Sequence, residues 1–168
     1  MAGSLTAKQR FLQEYKREHA TTMRVLRAYP ADQMDLRPHP RCKTARELGW
    51  VFVTELAFSA FILDDGLRSG MPPAPPPPPD SWASVLDALE KAHKESARRL
   101  GRITDQKLRG KVRFFTAPKK MGEVGRLDFL WFMLFDEIHH RGQFSIYLRM
   151  AGGKVPSIYG PSADEPWM

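Results

Sequence analysis

RLDFLWFMLFDEIHHRGQFSIYLRMA, residues 126–151, decides the fold. Its apolar residues recur at helical spacing for about seven turns, too long for a strand, and the run stops at Gly152-Gly153, a common helix terminator. Phe129 to Phe135 is apolar nearly all round, which predicts the most buried helix of the protein. One stripe of this helix reads Phe129, Phe132, Asp136, His140, Gln143, Tyr147, all within about 80° of arc at ~100° per residue. An apolar face therefore turns polar halfway along.

Upstream, three further segments carry the same period. Thr44-Ala-Arg-Glu47 is a capping box, and a helix from Ala45 to about Arg68 follows, with the inward stripe Leu48, Val51, Phe52, Glu55, Ser59, Ile62. Ser4 to Tyr29 places Phe11, Tyr15, His19, Met23 and Leu26 on one face. Ser81 or Asp80 caps a third such segment, with Trp82, Leu86, Leu89, His93, Ala97 and Leu100 aligned. Thr104 to Gly125 reads as irregular, with Val112 to Thr116 a short extended stretch. The spacing thus predicts an all-α protein with helices near 4–28, 45–68, 81–103 and 126–151, packed as one four-helix-bundle domain over residues 1–168.

The connector MPPAPPPPPD, residues 71–80, holds an extended polyproline helix that reaches roughly 30 Å at about 3.1 Å per residue. The second helix is roughly 36 Å long at about 1.5 Å per residue. The connector can travel most of the bundle's length, so the second and third helices are expected to run parallel across a long crossover (up-down-down-up). The Pro- and Gly-containing tail, residues 155–168, is expected to pack as an extended surface segment.

Composition narrows the function classes. The single cysteine, Cys42, can make no intrachain disulfide, and the N-terminus carries no apolar leader, so a reducing cytoplasm is the expected compartment. No run approaches the roughly 18 apolar residues of a membrane span. The net charge of +7 invites a nucleic-acid reading. The basic residues are nevertheless spread through the first helix, the Arg98-Arg99 region and Arg109 to Lys120, without a recognisable nucleic-acid module, which favours a solvated cationic surface.

Asp136 and His140 stand one turn apart, where a carboxylate and an imidazole can ligate one divalent metal or hydrogen-bond each other. Glu55 lies on an inward face and needs a cation, a donor or a metal. The bland alternative is a buried polar network of Asp136, His140, Gln143 and Tyr147 that fixes helix register. Gly142, mid-helix, predicts close approach of another backbone or a ligand. Glu90-x-x-His93 and Glu137-x-x-His140 share the spacing of di-iron carboxylate bundles, but Glu137 lies about 100° from Asp136 and off the centre of that face. His19 and His93, each alone on an apolar stripe, read as ordinary packing.

Asp136-Glu-Ile-His-His-Arg-Gly-Gln143, Tyr147-Leu-Arg149, Gly152 and Val155-Pro-Ser-Ile-Tyr-Gly-Pro-Ser-Ala-Asp-Glu165 together resemble the DinB (damage-inducible, YfiT-like) family. The resemblance extends through Pro30-Ala-Asp32, Leu36-Arg-Pro-His-Pro40 and Thr44-Ala-Arg-Glu-Leu-Gly-Trp50. It implies a four-helix bundle and a divalent metal, held by one histidine early in the second helix and two at i, i+4 on the last. Here His140 matches the final ligand, Asp136 stands in place of the earlier histidine, and Val51 occupies the second-helix position. Glu55, one turn on, is the candidate replacement, which gives a Glu55, Asp136, His140 metal set with zinc, nickel or manganese as candidate ions.

Relatives implied by the resemblance include metal-dependent thiol S-transferases, in which the metal activates a low-molecular-weight thiol; Gln143 and Tyr147 are the residues placed to bind such a cofactor. The expected function is therefore a thiol S-transferase or related transferase or hydrolase with a degenerate metal site. The alternative is a metal-free bundle that binds a small molecule, or a stress-associated dimer without catalysis. The resemblance also implies a homodimer and a small-molecule partner.

Overall fold

A computed structural model describes residues 4–168. Five α-helices and one hairpin follow in the order α1 (Ala7–Arg27), α2 (Ala45–Leu63), α3 (Trp82–Arg102), α4 (Asp105–Leu108), β1 (Lys111–Ala117), β2 (Lys120–Gly125) and α5 (Arg126–Met150). Two helices start at reciprocal caps. Thr44 Oγ1 accepts from the Glu47 amide at 3.1 Å while the Glu47 carboxylate accepts from the Thr44 amide at 2.7 Å; Thr6 and Gln9 repeat the arrangement on α1. Each such cap satisfies donors that the helix itself leaves free.

The long helices α1, α2, α3 and α5 surround two contiguous apolar clusters. One joins Met23, Leu26, Leu48, Phe52, Trp82 and Phe144; the other joins Phe11, Ile62, Leu63, Leu100, Phe129 and Leu134. Trp82 anchors the first. Its ring stacks on Phe144 at 5.5 Å and its indole N–H donates to the Leu26 carbonyl at 3.0 Å. A side chain at Gly49 would begin 2.7 Å from that ring, so the close approach of α2 to α3 requires a glycine there. Arg46 reaches Asp80 just before α3, and at the far ends Asp64 pairs with Arg99. These contacts bring like ends of α2 and α3 together.

The proline segment lies along the outer side of α2, where Trp50 donates to the Pro76 carbonyl at 2.8 Å and Phe58 and Phe61 face Pro72 to Pro76.

Three sequence expectations are corrected. Helix α2 stops at Leu63 rather than Arg68, because Asp65 adopts a left-handed φ of 60° and a separate 3-10 turn spans Gly66–Arg68. The Asp65 carboxylate accepts from Arg126 at 3.2 Å, which fixes this break. The expected extended run Val112 to Thr116 lies within β1, but the chain after it, read as irregular, is a second strand that pairs with it as an antiparallel ribbon, with Lys111 opposite Gly125, Arg113 opposite Glu123 and Phe115 opposite Met121. Val112 and Phe114 point inward and Lys111, Arg113 and Phe115 outward, a period of two. Finally, α5 is not buried all round: Phe132, Phe135, Ile146 and Met150 stand more than half exposed.

The tail folds back onto α5. Arg149 pairs with Asp164 at 2.5 Å, and Asp164 also accepts from the Val155 amide at 2.8 Å. Among the described residues no helix is long and apolar enough to cross a membrane.

Candidate metal centre

Helix α2 delivers Glu55 and helix α5 delivers Asp136 and His140 to one place. One ligand atom from each lies within 4.8 Å of the others, and this is the one group of at least three such side chains among the described residues. His140 Nε2 stands 2.9 Å from Glu55 Oε1 and 3.8 Å from Asp136 Oδ1. Glu55 and His140 are mostly enclosed, whereas the Asp136 side chain is 35% exposed and forms the open edge. Phe52 places a ring edge-on to the imidazole at 6.3 Å.

The far side of the imidazole is held as firmly. His140 Nδ1 lies 3.2 Å from Gln143 Oε1, and Gln143 Nε2 lies 2.8 Å from His139 Nε2. Gln143 Oε1 can only accept, so His140 Nδ1 carries a proton and Nε2 is the atom turned toward the two carboxylates. The hydrogen bond to Glu55 pushes His140 up to about 9 against the opposing effect of burial. Burial in turn raises Glu55 above the usual carboxylate range, although His140 pulls it back. Near neutral pH the imidazole is therefore protonated, with its Nε2–H turned toward Glu55.

This donor set fits a divalent ion. Bonds of about 2.0–2.2 Å put neighbouring ligand atoms roughly 3–3.5 Å apart in a tetrahedral site, and the observed separations bracket that spacing. Two carboxylates and one imidazole suit ions harder than those chosen by thiolate sites, and three protein ligands leave a position for a further molecule.

Gln143 therefore meets His140 directly. Tyr147 does not join that network; its hydroxyl donates to the Lys43 carbonyl at 2.9 Å. Both still border the site, since a groove over His140 is walled by Gln143, Ile146 and Tyr147 on one side and by Cys42, Lys43 and Leu48 on the other. A second groove continues from Cys42 and Lys43 past Arg37, Arg41 and Val51. Val51, at the position where the resemblance expects a histidine, is half-buried.

The di-iron constellation does not assemble. Glu90 pairs with Arg27 at 3.0 Å, and His93 stacks face to face on His19 at 3.4 Å. Burial lowers these histidines to about 4 and about 3, so both are neutral at physiological pH. Glu137 turns away from Asp136 and accepts from the Thr22 hydroxyl at 2.7 Å, with burial pushing it up to about 7. Gly142 is also corrected: a side chain there would meet nothing within 4 Å, so neither backbone nor side chain approaches it within this chain.

Sequence reasoning missed the polar cluster behind the site. Arg141, next to His140, is 1% exposed and pairs with Glu18 at 2.8 Å; Tyr159 of the tail donates to the same carboxylate at 2.6 Å. Burial alone would raise Glu18, but the Tyr159 and Arg141 contacts hold it below the usual carboxylate range. A signal was present, because Leu134, Glu137, Arg141, Phe144 and Leu148 recur at 3-4-3-4 spacing and place an arginine on the most apolar face of α5.

The helical bundle is the fold of a known group, and the chain belongs to the DinB family, whose model matches residues 1–167. The uncharacterized protein YrdA of Bacillus subtilis (strain 168) is 25% identical over 156 residues, 92% of this chain and 89% of that protein. Among solved structures, a DinB-like protein from Bacillus cereus ATCC 10987 superposes with a TM-score of 0.72 at 25% identity, covering 89% of this chain and 95% of the other. The DinB-like protein YjoA of Bacillus subtilis superposes at 0.67 with 16% identity, covering 88% and 96%, which bears on the fold alone.

Proposed function

We propose that this protein is a divalent-metal-dependent transferase of the thiol S-transferase type, with Glu55, Asp136 and His140 as metal ligands and the groove over His140 as the small-molecule site. The observation that carries it is the convergence of three ligand atoms within 4.8 Å on a histidine whose other nitrogen is already held by Gln143. Such outer contacts orient ligating histidines in metal sites generally. A bound divalent ion would supply a Lewis acid that lowers a thiol's pKa, so that the nucleophilic thiolate exists near neutral pH. Gln143 sets the imidazole, Tyr147 fixes the groove wall through Lys43, and Arg41 and Lys43, beside an Arg37 already paired with Glu47, favour a substrate that carries an anionic group.

A metal-free small-molecule-binding bundle is the second reading, favoured by one observation: the protonated imidazole, turned toward Glu55, satisfies the site without an ion. Self-association supports either role. The exposed Phe132, Phe135, Ile146 and Met150 lie along one helix, and an apolar face of this kind favours a homodimer across α5.

Elemental analysis of the purified protein, then titration with zinc, nickel and manganese for wild type and His140→Ala, separates the two readings. The metalloenzyme reading expects stoichiometric binding that the variant loses, together with metal-dependent conjugation of a low-molecular-weight thiol to an electrophile. Equal binding by both proteins, or none by either, would refute it.

A further inference from the structure

The cations of residues 104–125 are spread out in sequence, and the fold lays them along one hairpin and the short helix before it. Lys107 and Arg109 lie on and just after α4, Lys111 and Arg113 on β1, and Lys119 and Lys120 at the hairpin turn; all six are exposed. Among the described residues none of them takes part in an ion pair, whereas the acidic Glu123 of β2 is already engaged by Arg68 at 3.0 Å. Asp105 is the one other acid in this stretch. Strand pairing puts Lys111 at the base of the ribbon, opposite Gly125, and Lys120 at its tip, opposite Ala117, so the cations run along the ribbon's length.

The ribbon is also rigid. Val112 is fully buried and Phe114 nearly so, with Phe114 in edge contact with Phe129 at 4.9 Å and with Phe132 at 5.5 Å. With that face pinned to the bundle, Lys111, Arg113 and Phe115 must point outward together, and Phe115 is 42% exposed between the charges. Lys111 and Arg113, two residues apart on a strand, are spaced by about 6.6 Å. Adjacent phosphates along one strand of a duplex are roughly 7 Å apart through space, although each advances only about 3.4 Å along the axis, so successive outward cations can meet successive phosphates. With its inner face packed on the bundle, the ribbon offers only its outward face, which confines contact to the phosphates along the duplex surface.

We infer that the outward face of the β1–β2 hairpin, with the adjoining α4, is a docking surface for double-stranded DNA, held through phosphates and without base-specific readout. The partner must be a polyanion, because six free cations with one aromatic residue offer charge and little apolar area. A membrane surface fits less well: the turn from Thr116 to Lys120 carries no large apolar side chain to insert, and shallow insertion is what holds interfacial segments in lipid. The surface is separate from the metal centre, and its occupation neither requires nor supplies the proposed transferase chemistry.

The test is fluorescence anisotropy with a labelled random-sequence 20-base-pair duplex, titrated with the full-length protein at about 50, 100 and 200 mM salt. Binding should be micromolar, with a log–log salt slope of about −3 to −5 if most of the six cations meet phosphates. Lys107→Glu/Lys111→Glu/Lys120→Glu should weaken binding at least tenfold and reduce the slope by about 3, one per lysine, with an unchanged thermal melt. A control of equal charge change elsewhere, Lys16→Glu/Lys91→Glu/Lys94→Glu, should keep most of the affinity. No binding at the lowest salt, equal losses in both variants, or tighter capture by vesicles containing phosphatidylserine than by the duplex would each overturn the proposal.

Discussion

Metal binding at Glu55, Asp136 and His140 should consume base, because the ion must replace a proton. His140 is pushed up to about 9, chiefly by its hydrogen bond to Glu55, so at pH 7 about one molecule in a hundred presents a neutral imidazole, and at pH 9 about half do. Apparent affinity for manganese or zinc should therefore rise about 50-fold between pH 7 and 9, with close to one proton released per ion bound near neutrality. Isothermal titration calorimetry in two buffers of different ionisation enthalpy measures both quantities. An affinity flat between pH 6.5 and 9, with no proton release, would refute a protonated His140. Glu55→Gln supplies an independent check, since the His140 resonance should then titrate nearer its ordinary 6.5 in NMR. For the metal-free protein the sign of the linkage is fixed as well. A folded value above the unfolded one stabilises, fully below about pH 6.5, and that contribution fades as pH rises through about 9.

Val51→His, with or without Asp136→His, should tighten zinc binding, because an imidazole then joins the set from the groove side; competition against a zinc indicator would reveal it, and unchanged affinity would place Val51 outside reach of the ion. Glu18→Ala leaves the fully enclosed Arg141 without its partner and should cost about 3–5 kcal/mol in urea unfolding. A loss below about 1 kcal/mol would show that Tyr159 and Thr22 suffice to hold that charge. Gly142→Ala should stabilise the monomer by roughly 0.5–1 kcal/mol, since the site has room and the helix gains a better former. If light scattering shows instead that the substitution dissociates a dimer, Gly142 marks the place where two α5 helices cross.

Much of the bundle was legible because helices declare themselves locally. Thr44 with Glu47, the stripe through Leu48 and Phe52, and the glycine stop after Ala151 are short-range signals, and each acts within one or two turns. Glu55, Asp136 and His140 were legible for a related reason, since a polar residue on an apolar stripe must be answered by another nearby. What escaped was set by distant chain segments. Arg141 finds its counter-charge on α1 and its second partner, Tyr159, in the tail. The groove walls come from the 37–43 loop, whose course no periodicity encodes. The hairpin was hidden because Val112 and Phe114, its two inward anchors, sit among charges, so its alternation is only two repeats deep.

The run of prolines beside α2 behaves as a gauge block. Because each residue advances about 3.1 Å with its φ locked, the separation between the end of α2 and the start of α3 is set by the number of prolines rather than by how far a loop happens to relax. Two prolines span about 6.2 Å, close to the 5.4 Å of one helical turn, so removing a pair would draw α3 along α2 by roughly one turn. Trp82 would then be pulled off Gly49, the one position on α2 whose missing side chain admits its ring. Insertions and deletions in this segment are for that reason quantised in effect, and a length change that a flexible linker would absorb is passed directly to the register between the two helices.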